Sequence, residues 1–103
     1  MELSLSKPGG RVNVAIPGPR LGAAEVTGFK RALVEVLDTT SEDIIIDLKS
    51  VEFVDSSGLG AIVGCLRHVK HPRRLALANL SPPVARVFKL TRMDRVFQIE
   101  EES

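Results

Sequence analysis

The sequence predicts an α/β fold. A mixed sheet of four to five strands opens with an antiparallel hairpin and continues as strands alternating with single helices, in the order β-β-α-β-α-β-α-β. Three observations carry this. Leu3 and Leu5, then Val12, Val14 and Ile16, alternate with polar or small neighbours on either side of Pro8-Gly9-Gly10, which is a hairpin pattern. Ile44-Ile45-Ile46 with Leu48 is a short, continuous, β-branched run of the kind found in a central strand covered on both faces. Two intervening segments carry apolar residues at three- and four-residue spacing, so parallel strands linked by right-handed helical crossovers follow.

The elements can be placed in order. Pro17-Gly18-Pro19 ends the second strand. Val26, Phe29, Leu33, Val36 and Leu37 give a first helix over Ala23 to Leu37, ended by Asp38-Thr39-Thr40-Ser41. A second helix, Gly58 to His71, has an apolar stripe of Leu59, Ile62, Val63, Leu66 and Val69, and Pro72 stops it. Gly60, Ala61 and Gly64 keep another part of its surface small. A glycine costs roughly 1 kcal/mol against alanine inside a helix, so these point either to close packing on the sheet or to a flat docking surface. Leu75 to Leu80 reads as a strand, and Ser81 as an N-cap with Pro82 at the first helical position. Val84, Val87 and Phe88 form the buried face of that third helix. Val96 to Ile99 reads as an edge strand, and Glu100 to Ser103 as a frayed acidic tail.

Composition narrows the function. At 103 residues the chain reads as one domain, 1–103, with one modest core. A net charge of +1, no Trp or Tyr and four scattered Phe give no electrostatic or stacking basis for direct nucleic-acid binding. No segment approaches the roughly 18 apolar residues of a membrane span and none resembles a signal peptide, so a cytoplasmic location without membrane insertion is expected. The single cysteine, Cys65, excludes an internal disulfide and reads as a core residue.

The most informative stretch is Asp55-Ser56-Ser57-Gly58-Leu59, placed where the apolar run Val51 to Val54 meets the second helix. Free N–H groups and the helix dipole favour negative charge there. Such an element can cap the helix through a hydroxyl, bind an anion or carry a phosphate. Catalysis is not supported. His68 and His71 lie about three turns along the same helix, roughly 15 Å or more from the serines, so neither can serve them as a base. A Cys65, His68 and His71 metal cluster is disfavoured by the surrounding Arg67, Lys70, Arg73 and Arg74. No cofactor motif is present: Gly58-Leu59-Gly60 lacks the lysine and spacing of a phosphate loop. The basic cluster reads as a solvated helix end or as a docking patch for an acidic surface.

The run Ile44-Ile45-Ile46-Asp47-Leu48, followed by Val51-Glu52-Phe53-Val54-Asp55-Ser56-Ser57-Gly58-Leu59, resembles the signature of STAS domains, and more narrowly that of bacterial anti-sigma-factor antagonists. Arg74 to Leu80, Val87-Phe88 and Leu90 are also similar to that family. The resemblance implies a non-enzymatic regulator in a partner-switching system. It would bind an anti-sigma factor that is also a serine kinase and so release a sigma factor. It also implies phosphorylation of the serine before the glycine, here Ser57, and its reversal by a PP2C-type phosphatase. Asp55, Ser56, Ser57, Gly58 and Leu59 would form the contact. Gly60, Ile62, Val63 and Gly64 would extend it wherever they are not buried.

Phosphorylation at this helix start is expected to change the binding surface strongly and stability little. Two departures qualify the resemblance. The acidic residue that relatives carry after the second strand reads here as Gly22, and little chain follows Ile99 for the terminal helix many relatives have. The edge so exposed allows a homodimer. Two other readings follow: an unphosphorylated scaffold subunit of a signalling or lipid-transport ATPase complex, and a nucleotide- or lipid-binding sensor.

Overall fold

A computed structural model describes residues 1–100. Strand β1 (Ser4–Ser6) turns through a 3-10 segment at Pro8–Gly10 into β2 (Val12–Ala15), and the two pair antiparallel with Leu5 opposite Val14. The hairpin expected from the sequence is present. β4 (Ile44–Asp47) pairs parallel with β2 on one side and with β6 (Leu75–Ala78) on the other. β7 (Gln98–Glu100) completes a five-stranded sheet of order β1-β2-β4-β6-β7. Helices α1 (Val26–Thr39), α2 (Ser56–His68) and α3 (Pro82–Leu90) provide the crossovers. A separate parallel pair, β3 (Arg20–Leu21) with β5 (Phe53–Val54), was not legible in the sequence.

The sheet is covered unequally. Phe29, Leu33, Ile62, Cys65, Val84 and Phe88 of the three helices share one apolar cluster with Val12, Val14, Ile44, Ile46, Leu75 and Leu77. Ile45 lies on the opposite face in a separate small cluster with Ala76 and Ala78. β4 is covered on both faces as the sequence predicts, but by different means, since all three helices pack on one face. Ile45 is nevertheless only 1% exposed. Arg11 and Glu100 point to its face by strand alternation. They form a bidentate ion pair at 2.8 and 3.0 Å across β4 and β6, so a polar strap lies over that side. Glu100, expected at the start of a frayed tail, is the last residue of β7; residues 101–103 of that tail lie outside the described residues.

Element ends differ from expectation for local reasons. α1 starts at Val26, not Ala23, because Gly22 to Glu25 forms a turn in which the Gly22 N–H donates to Glu25 Oε1 at 2.9 Å. Its C-terminus extends to Thr39 and is held by Arg73. The guanidinium donates to Leu37 O at 2.7 Å, to Glu42 O at 2.6 Å and to Thr40 Oγ1 at 2.5 Å. α2 begins at Ser56 and ends at His68, before Pro72, with Val69 N–H returning to Cys65 O. Ser81 precedes α3 but its hydroxyl does not cap it, donating instead to Val51 O at 2.6 Å. The final strand begins at Gln98 because a 3-10 turn at Met93–Arg95 carries the chain to Phe97. That ring is buried, edge-on to Phe88 with centroids 6.0 Å apart.

Candidate functional site

The β5-to-α2 junction is built around Asp55. It is the N-cap residue, with extended backbone (φ −99°, ψ −174°), and its Oδ1 accepts the Gly58 N–H at 2.9 Å. Oδ2 accepts the Ala23 N–H at 3.0 Å, which ties the loop before α1 to the start of α2. The N–H groups of Gly58 and then Ala23 hold the Asp55 carboxyl below its ordinary value, with smaller contributions from Ser57 N–H and the Arg20 charge. The cap is thus a carboxylate, and neither serine hydroxyl is spent on it. Ser56 and Ser57 are both exposed, and neither side chain makes a hydrogen bond among the described residues.

Glycine is required at one position of this junction. A Cβ on Gly58 would lie 1.9 Å from Leu21 O, so only a bare α-carbon lets the first turn of α2 sit against β3. Gly22 is next to the same carboxylate: a Cβ there would lie 2.8 Å from Asp55 Oδ2 and 3.2 Å from the Phe53 ring. Any side chain at 22 would push the carboxylate off Ala23. Gly22, read in the sequence as a lost acidic position, is therefore the residue that leaves Asp55 room to reach across.

Along α2 the structure sorts the predicted contact residues. Gly58 and Ile62 are buried, Ile62 completely, so Ile62 belongs to the core and not to a docking face. Leu59 and Val63 are half-buried, and Gly60 and Gly64 are exposed. A Cβ on either Gly60 or Gly64 would meet nothing within 4 Å. The close-packing reading of these glycines is thereby replaced, since among the described residues no backbone outside their own helix would come within 4 Å of a side chain there. They sit on a groove of about 360 Å³ that Ser56, Leu59, Val63, Arg67 and Met93 also line.

Beside the junction, the Arg20 guanidinium lies 4.2 Å from the centroid of the Phe53 ring. The two residues are register partners in the β3–β5 pair, and Phe53 is 40% exposed. Nothing local in the sequence marks this stack, because it depends on pairing two strands of two residues each.

The remaining candidates are further away. Cys65 is buried between α1 and α2, and desolvation pushes its thiol up to about 11, so it is held as a neutral thiol. His68 Nε2 lies 3.4 Å from Asp38 Oδ1 at the far end of α2. Among the described residues no three potential metal ligands come together, and no helix is long and apolar enough to cross a membrane. Of the basic cluster, Arg67, Lys70, His71 and Arg74 are exposed, whereas Arg73 is the structural clamp on α1 and drops out of any docking patch.

Comparison with known proteins gives the same frame. The STAS domain matches over residues 3–103. The anti-sigma-B factor antagonist of Staphylococcus aureus (strain NCTC 8325 / PS 47) is 26% identical over 85 residues, covering 82% of this chain and 79% of that protein. An anti-sigma-factor antagonist (STAS) domain protein from Planctomyces limnophilus superposes with a TM-score of 0.87 at 22% identity, covering 98% of this chain and 91% of that one. The Bacillus cell fate determinant SpoIIAA in its phosphorylated form gives 0.70 at 21% identity, covering 99% and 92%. The strand order, the helix start at Ser56 and the match over nearly all of the sequence place this chain in the STAS domain family.

Proposed function

We propose that this chain is an anti-sigma-factor antagonist switched by reversible phosphorylation of Ser57. The observation that carries the reading is that Asp55, not a serine, caps α2, which leaves the Ser57 hydroxyl exposed at the second position of the helix with no hydrogen bond among the described residues. A kinase can reach such a hydroxyl without unfolding anything. The γ-phosphoryl group of a nucleoside triphosphate passes to Ser57 Oγ, the hydroxyl proton goes to a base on the kinase, and the diphosphate leaves. Hydrolysis by a PP2C-type phosphatase returns the hydroxyl and inorganic phosphate.

The partner is an anti-sigma factor that also acts as the kinase. It docks on Asp55, Ser56, Ser57 and Leu59 and on the bare strip of Gly60, Val63 and Gly64. A phosphate adds about −1.5 to −2 charges to that face near neutral pH, and so removes the chain from its partner while the core stays as it is. The curated relative's name and the neighbour solved in phosphorylated form support this reading.

The test is binding of the purified full chain to the anti-sigma factors encoded in its own genome. Unmodified protein and Ser57→Ala should bind one of them, and protein carrying phosphoserine at 57 should bind it at least tenfold more weakly. Equal binding of all three forms would reject the switch and favour a permanent scaffold role.

A further inference from the structure

On the exposed side of the β5-to-α2 junction stands a cation, Arg20. Arg20, Phe53 and Asp55 face the same way: Leu21 and Val54, their neighbours in β3 and β5, are buried, and Arg20 and Phe53 are exposed across from each other. The Arg20 guanidinium rests 4.2 Å from the Phe53 centroid, a cation–π contact that is weak at an exposed site. Among the described residues no carboxylate lies within ion-pair distance of it, and its N–H donors make no hydrogen bond. It is a placed cation with unspent donors, and its charge is felt at Asp55, two residues before Ser57.

A phosphate on Ser57 would find the usual anion site at the start of the helix already taken. The Asp55 carboxylate already holds the Gly58 and Ala23 N–H groups, so a second anion there meets the repulsion of a charge in place. Unspent donors lie on the strand beside that turn: Arg20 precedes Leu21, whose carbonyl packs against Gly58, and its planar fork suits a phosphate better than an ammonium would. We propose that Arg20 is the built-in counter-ion of the modified switch: it rests on the Phe53 ring when Ser57 is free and leaves the ring to pair with the phosphate when Ser57 is phosphorylated. The switch then changes two things at once, adding negative charge at 57 and uncovering the aromatic ring at 53.

This inference rests on the reading of Ser57 as the modified residue. Its test does not need the kinase, because phosphoserine can be installed at position 57 of the full chain during translation. The phosphate's second ionisation, ordinarily near pH 6, is followed by phosphorus NMR in the wild-type background, in Arg20→Gln and in Arg20→Lys. A neighbouring cation favours the dianion, so the wild-type phosphate should titrate lower than that of Arg20→Gln by about 0.3–0.7 units, the size an exposed ion pair supports. Arg20→Lys should fall between them, and the shift should shrink in high salt. Phosphorylation should also move the Phe53 ring proton signals toward those of unphosphorylated Arg20→Gln. Identical phosphate titrations in the wild type and Arg20→Gln would overturn the pairing. Whether cells phosphorylate Ser57 is read separately by mass spectrometry of the native protein, so failure of the functional reading and failure of the pairing are distinguishable.

Discussion

The carboxylate of Asp55 accepts the backbone N–H of Ala23 at 3.0 Å across 32 positions of sequence, with the oxygen that its own helix does not use. One side chain therefore fixes both the start of α2 and the loop that leads into α1. The exposed serines sit on a junction whose geometry does not depend on them.

Replacing Asp55 should loosen that junction in a pH-dependent way. Its pKa is depressed in the folded state, so it contributes stability that is present above the unfolded aspartate value of about 3.9 and is lost as pH falls through the folded value. Asp55→Asn keeps one acceptor but no charge. Its melting temperature should lie below that of the wild type at neutral pH, and the gap should close in acid below about pH 4. Paired thermal melts from pH 7 to pH 2 check this; a gap that stays constant would show that the charge has no part in the cap.

The glycines of α2 should divide by position. At Gly58 an added methyl meets Leu21 O at 1.9 Å, and Gly58→Ala should destabilise by about 1–3 kcal/mol or more. At Gly60 and Gly64 nothing lies within 4 Å, so Gly60→Ala and Gly64→Ala should each stabilise the fold by about 0.5–1 kcal/mol. The same two changes should weaken partner binding, because they thicken the bare strip. Urea titration with a partner-binding assay on the three variants separates the cases.

Periodicity made the main sheet and the helices legible, because Val12 and Val14, Ile44 to Ile46 and the α2 stripe each repeat with the period of the element they form. What stayed hidden depends on contacts distant in sequence. β3 and β5, two residues each, are too short to show a period, so the Arg20–Phe53 stack could not be read. In the sequence the cap reads as a serine hydroxyl, whereas the structure gives it to Asp55, reinforced by Ala23 far upstream. Ile62 and Val63 looked alike as contact residues until packing buried the first and left the second at the groove.

Arg73 shows the same lesson with an energetic consequence. It looked like one more cation in a basic run, yet its guanidinium holds Leu37 O, Glu42 O and Thr40 Oγ1 at the end of α1. Arg73→Ala should cost about 1.5–3 kcal/mol, the range for charge-assisted hydrogen bonds. Arg73→Lys should recover little of it, because an ammonium lacks the fork that reaches three acceptors. Alanine at the exposed Lys70 or Arg74 positions should stay within about 0.5 kcal/mol of the wild type in the same denaturation experiment.

The most direct test of Ser57 as the switch is intact-mass and peptide mass spectrometry of the protein isolated from its own cells, wild type beside Ser57→Ala. A single phosphate on the peptide containing Ser57, absent from the variant and varying with growth or stress, is the predicted result. A wild-type protein that carries no phosphate at Ser57 under any of those conditions would contradict it.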